Sequence, residues 1–291
     1  MHNILITGAT GLLGSSLVPH LRKCGHNIYT HGLAAQADVM FNLSDKVKTF
    51  QALDEMRPEM IINLVSLTDV ELCEEQVNFA YLANTRSVEN LVNWIGLSGT
   101  DCHLVHISTD HVYDGVGLHT EENVTLTNNY AFSKYAGELA ASLVSSSILR
   151  TNFIGRSRVN HRQSLSDWVY ASITSSRNIQ ILNDVYFSPL SIKTLVEMIE
   201  LVVKNKPVGI YNLGSHKGMS KADFAFSFAE CLKLTTNTMQ CIESSEAKFL
   251  KAYRPKNMRM DISKFENTLG VKLPNLTDLI QQVAEEYYEI N

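Results

Sequence analysis

The stretch that most limits what this chain can become runs from Asn3 to Leu21 and reads NILITGATGLLGSSLVPHL. Ile4, Leu5, Ile6 and Thr7 form a short apolar run suited to a buried strand. Gly8, Gly11 and Gly14 follow as G-x-x-G-x-x-G, and Leu12, Leu13, Leu17, Val18 and Leu21 then recur with helical spacing. A glycine turn between strand and helix lets the backbone come close to a pyrophosphate. The helix N-terminus beyond it offers free N–H groups and a partial positive charge to the anion. An ordinary tight turn also uses glycines, but a strand before and a helix after are the setting in which the motif signals a dinucleotide.

The rest of the chain repeats that alternation. Asn27 to Thr30 reads as a strand, Asp45 to Met56 as a helix capped by Ser44 and ended by Pro58, and Met60 to Val65 as a third strand. A charged turn leads to a long amphipathic helix over Val77 to Leu97, with Leu82, Val88, Leu91, Val92 and Ile95 on the sheet side. His103 to Ser108 is a strand, Tyr130 to Val144 a helix, and Ile148 to Thr151 a strand. Such spacing predicts an α/β fold: a Rossmann-type, doubly wound parallel sheet joined by right-handed crossovers. Beyond Asn152 the pattern loosens into a helix over Gln163 to Ser175, a strand at Ile179 to Leu182 and a helix over Ser191 to Lys204. A strand at Gly209 to Leu213, a capped helix over Ser220 to Leu232 and a final helix, Leu276 to Tyr288, complete it. The expected division is a nucleotide-binding domain over residues 1–152 and a smaller C-terminal substrate-binding lobe over 153–291, with elements free to cross a soft boundary. Ligands in such folds bind beyond the carboxyl ends of the strands, so a cleft is expected between the lobes.

At 291 residues the chain can bury a large core, and 45% hydrophobic with 19% charged residues is ordinary for a globular enzyme. A net charge of −5 speaks against nucleic-acid or membrane-surface partners, which need a concentrated basic face. Cys24, Cys73, Cys102, Cys231 and Cys241 are scattered without C-x-x-C spacing, as suits buried thiols in a reducing compartment. No apolar run reaches the roughly 18 residues of a membrane span, and the chain opens straight into a strand, leaving no segment for a signal peptide. The expected location is cytoplasmic.

Tyr130 and Lys134 stand four apart at a helix start, so their side chains share a face. A phenol alone, with an ordinary pKa of about 10, is a poor acid or base near neutrality. A neighbouring ammonium favours the phenolate and brings it toward the working range. Thr109 follows the strand at His103 to Ser108, where substrates of such sheets lie. Chance Y-x-x-x-K pairs are common on helices; the glycine turn and Thr109 are what give this one meaning.

Together these residues resemble the extended short-chain dehydrogenase/reductases, and among them the dTDP-4-dehydrorhamnose reductase (RmlD-like) family. The resemblance runs nearly end to end, through TGATGLLG at 7–14, STDHVYDG at 108–115, YAFSK at 130–134, LRTNF at 149–153, NDVYFSPLS at 183–191 and RPKNMRMDISK at 254–264. It implies reduction of a 4-keto-6-deoxy sugar carried on a nucleoside diphosphate, in dTDP-rhamnose and polysaccharide synthesis. Tyr130 would give the proton, Lys134 would hold the nicotinamide ribose, and Thr109 would bond the carbonyl oxygen. Cofactor contacts carry over to Gly8, Thr10, Gly11, Leu12, Leu13 and Gly14. They carry over also to Asn42 and Leu43 at the adenine edge, to Asn63, Leu64, Val65 and Asn84, and to Tyr130 and Lys134 themselves. No acid ends the second strand, where an NAD-preferring fold places one for the ribose 2′-OH. NADP(H) is therefore the preferred cofactor, with NAD(H) also admitted.

On the substrate side the resemblance points to Asp110, His111, Asn152 and Phe153, with Arg254 and Arg259 as forks for the diphosphate. His111 stands where the family usually has tyrosine and Phe153 where it often has tryptophan, so the sugar itself stays open. His111 is either a sugar donor or a solvent-facing loop histidine; Phe153 leans to core. Arg254 and Arg259 fit a solvated surface pair as well, and Asp110 fits a loop organiser better than a second acid. No H-E-x-x-H or acid/histidine cluster appears in the sequence, so no catalytic metal is expected. The rivals are an epimerase of the same family, using its cofactor without consuming it, and a non-catalytic NADP-binding regulatory subunit. A homodimer is compatible with all three.

Overall fold

The computed structural model describes residues 2–33, 36–160 and 162–288. The first half of the chain runs β1 (Asn3–Thr7), α1 (Gly14–Lys23), β2 (Asn27–Gly32), β3 (Val39–Met40), α2 (Lys46–Met56) and β4 (Met60–Asn63). It continues through α3 (Val70–Glu75), α4 (Val77–Tyr81), α5 (Ser87–Ser98), β5 (His103–Thr109) and α6 (Asn129–Ala141) to β6 (Ser146–Thr151). The second half holds β7 (Phe153–Ile154), α7 (Leu165–Thr174), β8 (Ile179–Leu182), β9 (Tyr186–Phe187), β10 (Leu190–Ser191) and α8 (Ile192–Asn205). After these come β11 (Gly209–Leu213), β12 (Met219–Ser220), α9 (Lys221–Cys231), β13 (Met239–Ile242), α10 (Ser263–Leu269) and α11 (Leu276–Tyr288).

Two compact units result, and the chain passes between them repeatedly. The first takes in Met1–Thr109, Asn128–Arg150 and Val196–Tyr211; the second takes in Asp110–Thr127, Thr151–Leu195 and Asn212–Asn291. The C-terminal portion is therefore not all substrate lobe. Val196–Tyr211, expected there, is part of the first unit. Ile199, Val202 and Val203 on α8 are buried, and β11 pairs with β6 to close an edge that would otherwise expose unpaired backbone.

The first unit is built on a seven-stranded parallel sheet in the order β11-β6-β5-β4-β1-β2-β3. From β1 the chain winds outward through β2 and β3, then crosses to β4 and winds the other way. The order reverses between β1 and β4, where Ile4 pairs with Met60 and Thr7 with Asn63. Ile4, Leu5 and Ile6 are fully buried, as are Met60, Ile61 and Ile62, because both sheet faces are covered. Leu53, Val88, Leu91 and Trp94 pack into the same core as Leu5, Ile61 and Leu104.

Two local expectations change. Asp45, not Ser44, caps α2: its carboxylate accepts from the Lys48 N–H, while the Ser44 hydroxyl bonds Asn42. The long helix over Val77 to Leu97 is interrupted at Leu82–Arg86 by a π turn, which leaves Leu82 only half-buried. The charged turn before it contains α3, capped by Asp69. All five cysteines are free thiols; only Cys73 and Cys102 are buried, and Cys24 and Cys241 lie at the surface.

Among the described residues the second unit has no large sheet. Its strands pair in twos, β7 with β10, β8 with β13 and β9 with β12, around a core in which Phe187, Phe224, Phe228 and Tyr287 meet ring to ring. Ser164 and Asp167 form a capping box on α7, and Ser220 and Asp223 another on α9.

Candidate active site

The glycine turn sits at the carboxyl end of β1, where the strand order reverses. Gly8 takes φ +68°, a conformation that favours glycine, and a Cβ there would stand 3.1 Å from the backbone of Leu64 and Val65. A Cβ on Gly14 would meet the Ala9 carbonyl at 2.4 Å, so the first turn of α1 packs directly on the loop. Gly11 donates to the Gly8 carbonyl at 3.0 Å, and Ala9 donates to the His31 carbonyl at 2.9 Å, which ties the loop to β2. Helix α1 begins with neither a side-chain cap nor an acidic residue in its first turn, and its last turn carries His20, Arg22 and Lys23. Its positive end is left for an anion. Thr10, Gly11 and Leu12 are half-buried around it; Leu13 is core.

Asn63 is not turned outward. It is fully buried, its Oδ1 accepts from Thr7 Oγ1 at 2.6 Å and from the Val65 N–H at 3.3 Å, and its Nδ2 faces His106 Nδ1 at 3.1 Å. The backbone N–H fixes the amide orientation, so His106 accepts at Nδ1 and carries its proton on Nε2. Burial, with the charge of Lys134 beside it, keeps this histidine neutral well below its ordinary range, and its Nε2 has no partner among the described residues. Asn63 thus braces β1, β4 and β5 beneath the site, and Leu64 and Val65 present their backbone to the glycine turn.

Asn84 is also a scaffold. It lies in the π turn, fully buried, accepting from Leu67 N–H at 2.7 Å and Ser66 Oγ at 3.0 Å, and donating to Leu67 O and Ser133 Oγ. Asn42 is exposed; the Leu43 side chain is in the core and its carbonyl takes Asn90 Nδ2 at 2.7 Å. At the end of β2, His31 turns inward to the Phe41 carbonyl at 2.9 Å, and burial lowers its pKa. Asp38 was not foreseen. It folds back from the following loop so that its carboxylate accepts from Thr30 N–H and Oγ1 at 2.8 and 2.7 Å, bonds that hold it below the usual carboxylate range.

Thr109 ends β5 and is buried. Helix α6 packs against β5, capped by Asn128, whose Oδ1 accepts from Ala131 N–H. Tyr130 stands in its first turn against Cys73 and Ala80. Lys134, one turn on, is 2% exposed and donates from Nζ to the Ile107 carbonyl at 2.7 Å, two residues before Thr109. Burial pushes its ammonium down to about 8, against the pull of Glu138. Glu138 itself is fully buried in a forked pair with Arg150, Nη2 to Oε2 at 2.6 Å and Nε to Oε1 at 3.0 Å, and it accepts from Ser108 Oγ. That cluster locks α6 to β5 and β6. Ser108 and Arg150 lie inside recognised motifs, STDHVYDG and LRTNF; the Glu138 partner carries no spacing signal.

The candidate substrate residues belong to the second unit. Asp110 and His111 form a 3₁₀ turn with Val112. Asp110 is buried, accepting Asn152 Nδ2 at 2.8 Å, as a loop organiser would. His111 is buried rather than solvent-facing. Burial, then the charges of Lys221 and Arg254, bring its pKa down to about 3, so it is neutral. Lys221, at the start of α9, is the residue that sequence reasoning missed here; burial lowers its pKa while Asp110 raises it. Arg254 belongs to that group, whereas Arg259 is held elsewhere, with Nε on Asn257 Oδ1 at 2.8 Å and its guanidinium 5.0 Å from the Tyr186 ring centre. Both arginines are half-buried, so the solvated surface pair is not found. Phe153, half-buried in β7, pairs with Leu190 of β10.

Compared with known proteins, residues 1–289 match the RmlD substrate binding domain. The probable low-salt glycan biosynthesis reductase Agl14 of Haloferax volcanii is 27% identical over 291 residues, with 94% of each chain covered. The dTDP-4-dehydrorhamnose reductase of Escherichia coli strain K12 is 26% identical over 302 residues, with 98% of each covered. Among solved structures, that of the dTDP-4-dehydrorhamnose reductase of Bacillus anthracis str. Ames in complex with NADP superposes with a TM-score of 0.88 at 24% identity. The match covers 98% of this chain and 99% of that one, a likeness of fold.

Proposed function

This chain belongs to the RmlD substrate-binding-domain family, and from that premise we propose that it reduces a nucleotide-linked 4-keto-6-deoxy sugar at the expense of NADPH, with NADH also accepted. Its residues fit the cofactor. The glycine turn leaves the backbone bare beside an uncapped helix N-terminus, and Leu64 and Val65 line its other side. Bound reduced cofactor supplies the hydride for the sugar carbonyl carbon.

The protein's own groups do the rest. Tyr130 gives its phenolic proton to the carbonyl oxygen as charge develops there. Lys134 stabilises the phenolate left behind and holds the cofactor's ribose hydroxyls. Thr109 donates to the same carbonyl oxygen and fixes its place. In the second unit, Asp110 holds Asn152, His111 offers a neutral ring to the sugar, and Arg254 offers a guanidinium to the diphosphate.

The observation that carries this reading is Lys134. Burying an ammonium costs stability and is repaid only by pairing or by function. This one is spent on a backbone carbonyl beside Thr109, one turn from a tyrosine. Loss of NADPH absorbance, followed against dTDP-, GDP-, UDP- and CDP-linked 4-keto sugars, tests the reading. One cofactor consumed per product is expected; turnover without consumption would mark an epimerase, and NADPH binding without any turnover a regulatory subunit. Tyr130→Phe should bind NADPH as the parent does while kcat falls by about 10²–10⁴-fold, the usual worth of a positioned acid. Retained turnover in that variant would remove Tyr130 from its role.

A further inference from the structure

On the first unit, away from the residues given roles above, three unlike donors converge. His20 and Cys24 lie one turn apart at the C-terminal end of α1, so they share a face. Glu200 comes from α8, far along the chain, and its Oε2 meets His20 Nε2 at 2.7 Å. The imidazole nitrogen, the thiol sulfur and the carboxylate oxygen all lie within 4.8 Å of one another. We propose that His20, Cys24 and Glu200 bind one divalent cation of the zinc class, joining α1 to α8.

The donor set decides the class of ion. Carboxylates alone would suit magnesium or calcium; sulfur with imidazole nitrogen and one carboxylate oxygen suits zinc or cobalt. Thiolate and carboxylate together neutralise a dication. Glu200 supplies the carboxylate, hydrogen-bonded by His20 on one oxygen and paired with Lys204 on the other. Lys204 holds the other carboxylate oxygen from one turn along α8, and its largely exposed side chain can swing into water when an ion takes its place. Cys24 is at the surface, which leaves a fourth position for solvent. None of the three residues belongs to the reductase reading, so the two stand or fall separately.

Chelator-stripped protein carrying Cys241→Ser, which removes the other surface thiol, is titrated with Zn²⁺ against a chromophoric chelator. A parallel titration uses Co²⁺, whose thiolate charge-transfer band reports a metal–sulfur bond. One equivalent bound at micromolar affinity or tighter is expected, with a near-ultraviolet band and a Tm that rises with zinc. Cys24→Ser and His20→Gln should each weaken zinc binding by about tenfold or more, since even outer partners of a metal site cost 10–100-fold. Cys24→Ser should also lose the cobalt band. Both variants keep the parent's metal-free Tm and NADPH affinity. No binding at micromolar zinc, or binding unchanged by either substitution, overturns the proposal.

Discussion

At the scale of single residues, Lys134 shows how function is visible as a cost. Its ammonium is buried, bonded to the Ile107 carbonyl and with the Glu138 carboxylate already paired to Arg150, so Lys134→Met should leave the cofactor-free protein as stable as the parent or more so, by about 1–2 kcal/mol. The same change should lower NADPH turnover by about 10²-fold or more. Urea melts and steady-state rates check the two halves, and a variant that loses both stability and activity would make Lys134 merely structural. The sign of the pH effect follows from its pKa, about 8 folded against an ordinary 10.5. Between those values the unfolded chain binds more protons, so this group makes the parent gain stability as pH rises from 8 to 10.5, a gain the Met variant lacks. Turnover moves the other way, falling above about pH 8 as the ammonium beside Tyr130 is lost. The placing of Tyr130 and Lys134 at a helix start and of Thr109 at a strand end was legible because four-residue spacing and a strand end are local features. Asn63 and Asn84 were not, since whether an amide faces a ligand or its own scaffold depends on neighbours such as His106 and Ser133 that come from distant segments.

At the scale of elements, the site rests on how α6 is seated. The π turn at Leu82–Arg86 brings its backbone so near α6 that a Cβ on Gly137 would lie 2.5 Å from the Asn84 carbonyl, while Thr85 Oγ1 bonds the Ser133 carbonyl at 2.8 Å. Gly137→Ala should therefore destabilise by about 1–3 kcal/mol, the usual cost of overpacking, although alanine is the better helix former. Chemical denaturation reads the difference, and an Ala variant as stable as the parent would mean the two helices are not in contact there. Apolar periodicity predicted one unbroken helix over Val77 to Leu97, because a single extra residue in a turn shifts the stripe too little to show in the pattern. The strands fared better. Ile179–Leu182 and Gly209–Leu213 stand where alternation put them, since short apolar runs between turn residues leave few other choices.

At the scale of the whole molecule, the sequence pattern identified the doubly wound sheet but not which segments complete it, for pairing partners are set by topology rather than by local spacing. The first unit needs Val196–Tyr211, and β11 is the strand that borders β6. A fragment of residues 1–152 should consequently fail to unfold cooperatively in urea, whereas the full chain should show coincident transitions by fluorescence and circular dichroism. A sharp transition in the fragment would make β11 dispensable. Manufacture of the protein inherits the same dependence. While the ribosome is still translating the stretch after Arg150, β6 has a bare hydrogen-bonding rim. It stays open to stray partners until residue 213, the end of β11, has cleared the exit tunnel. Pauses in translation across that interval should lower the yield of native enzyme more than pauses placed after it.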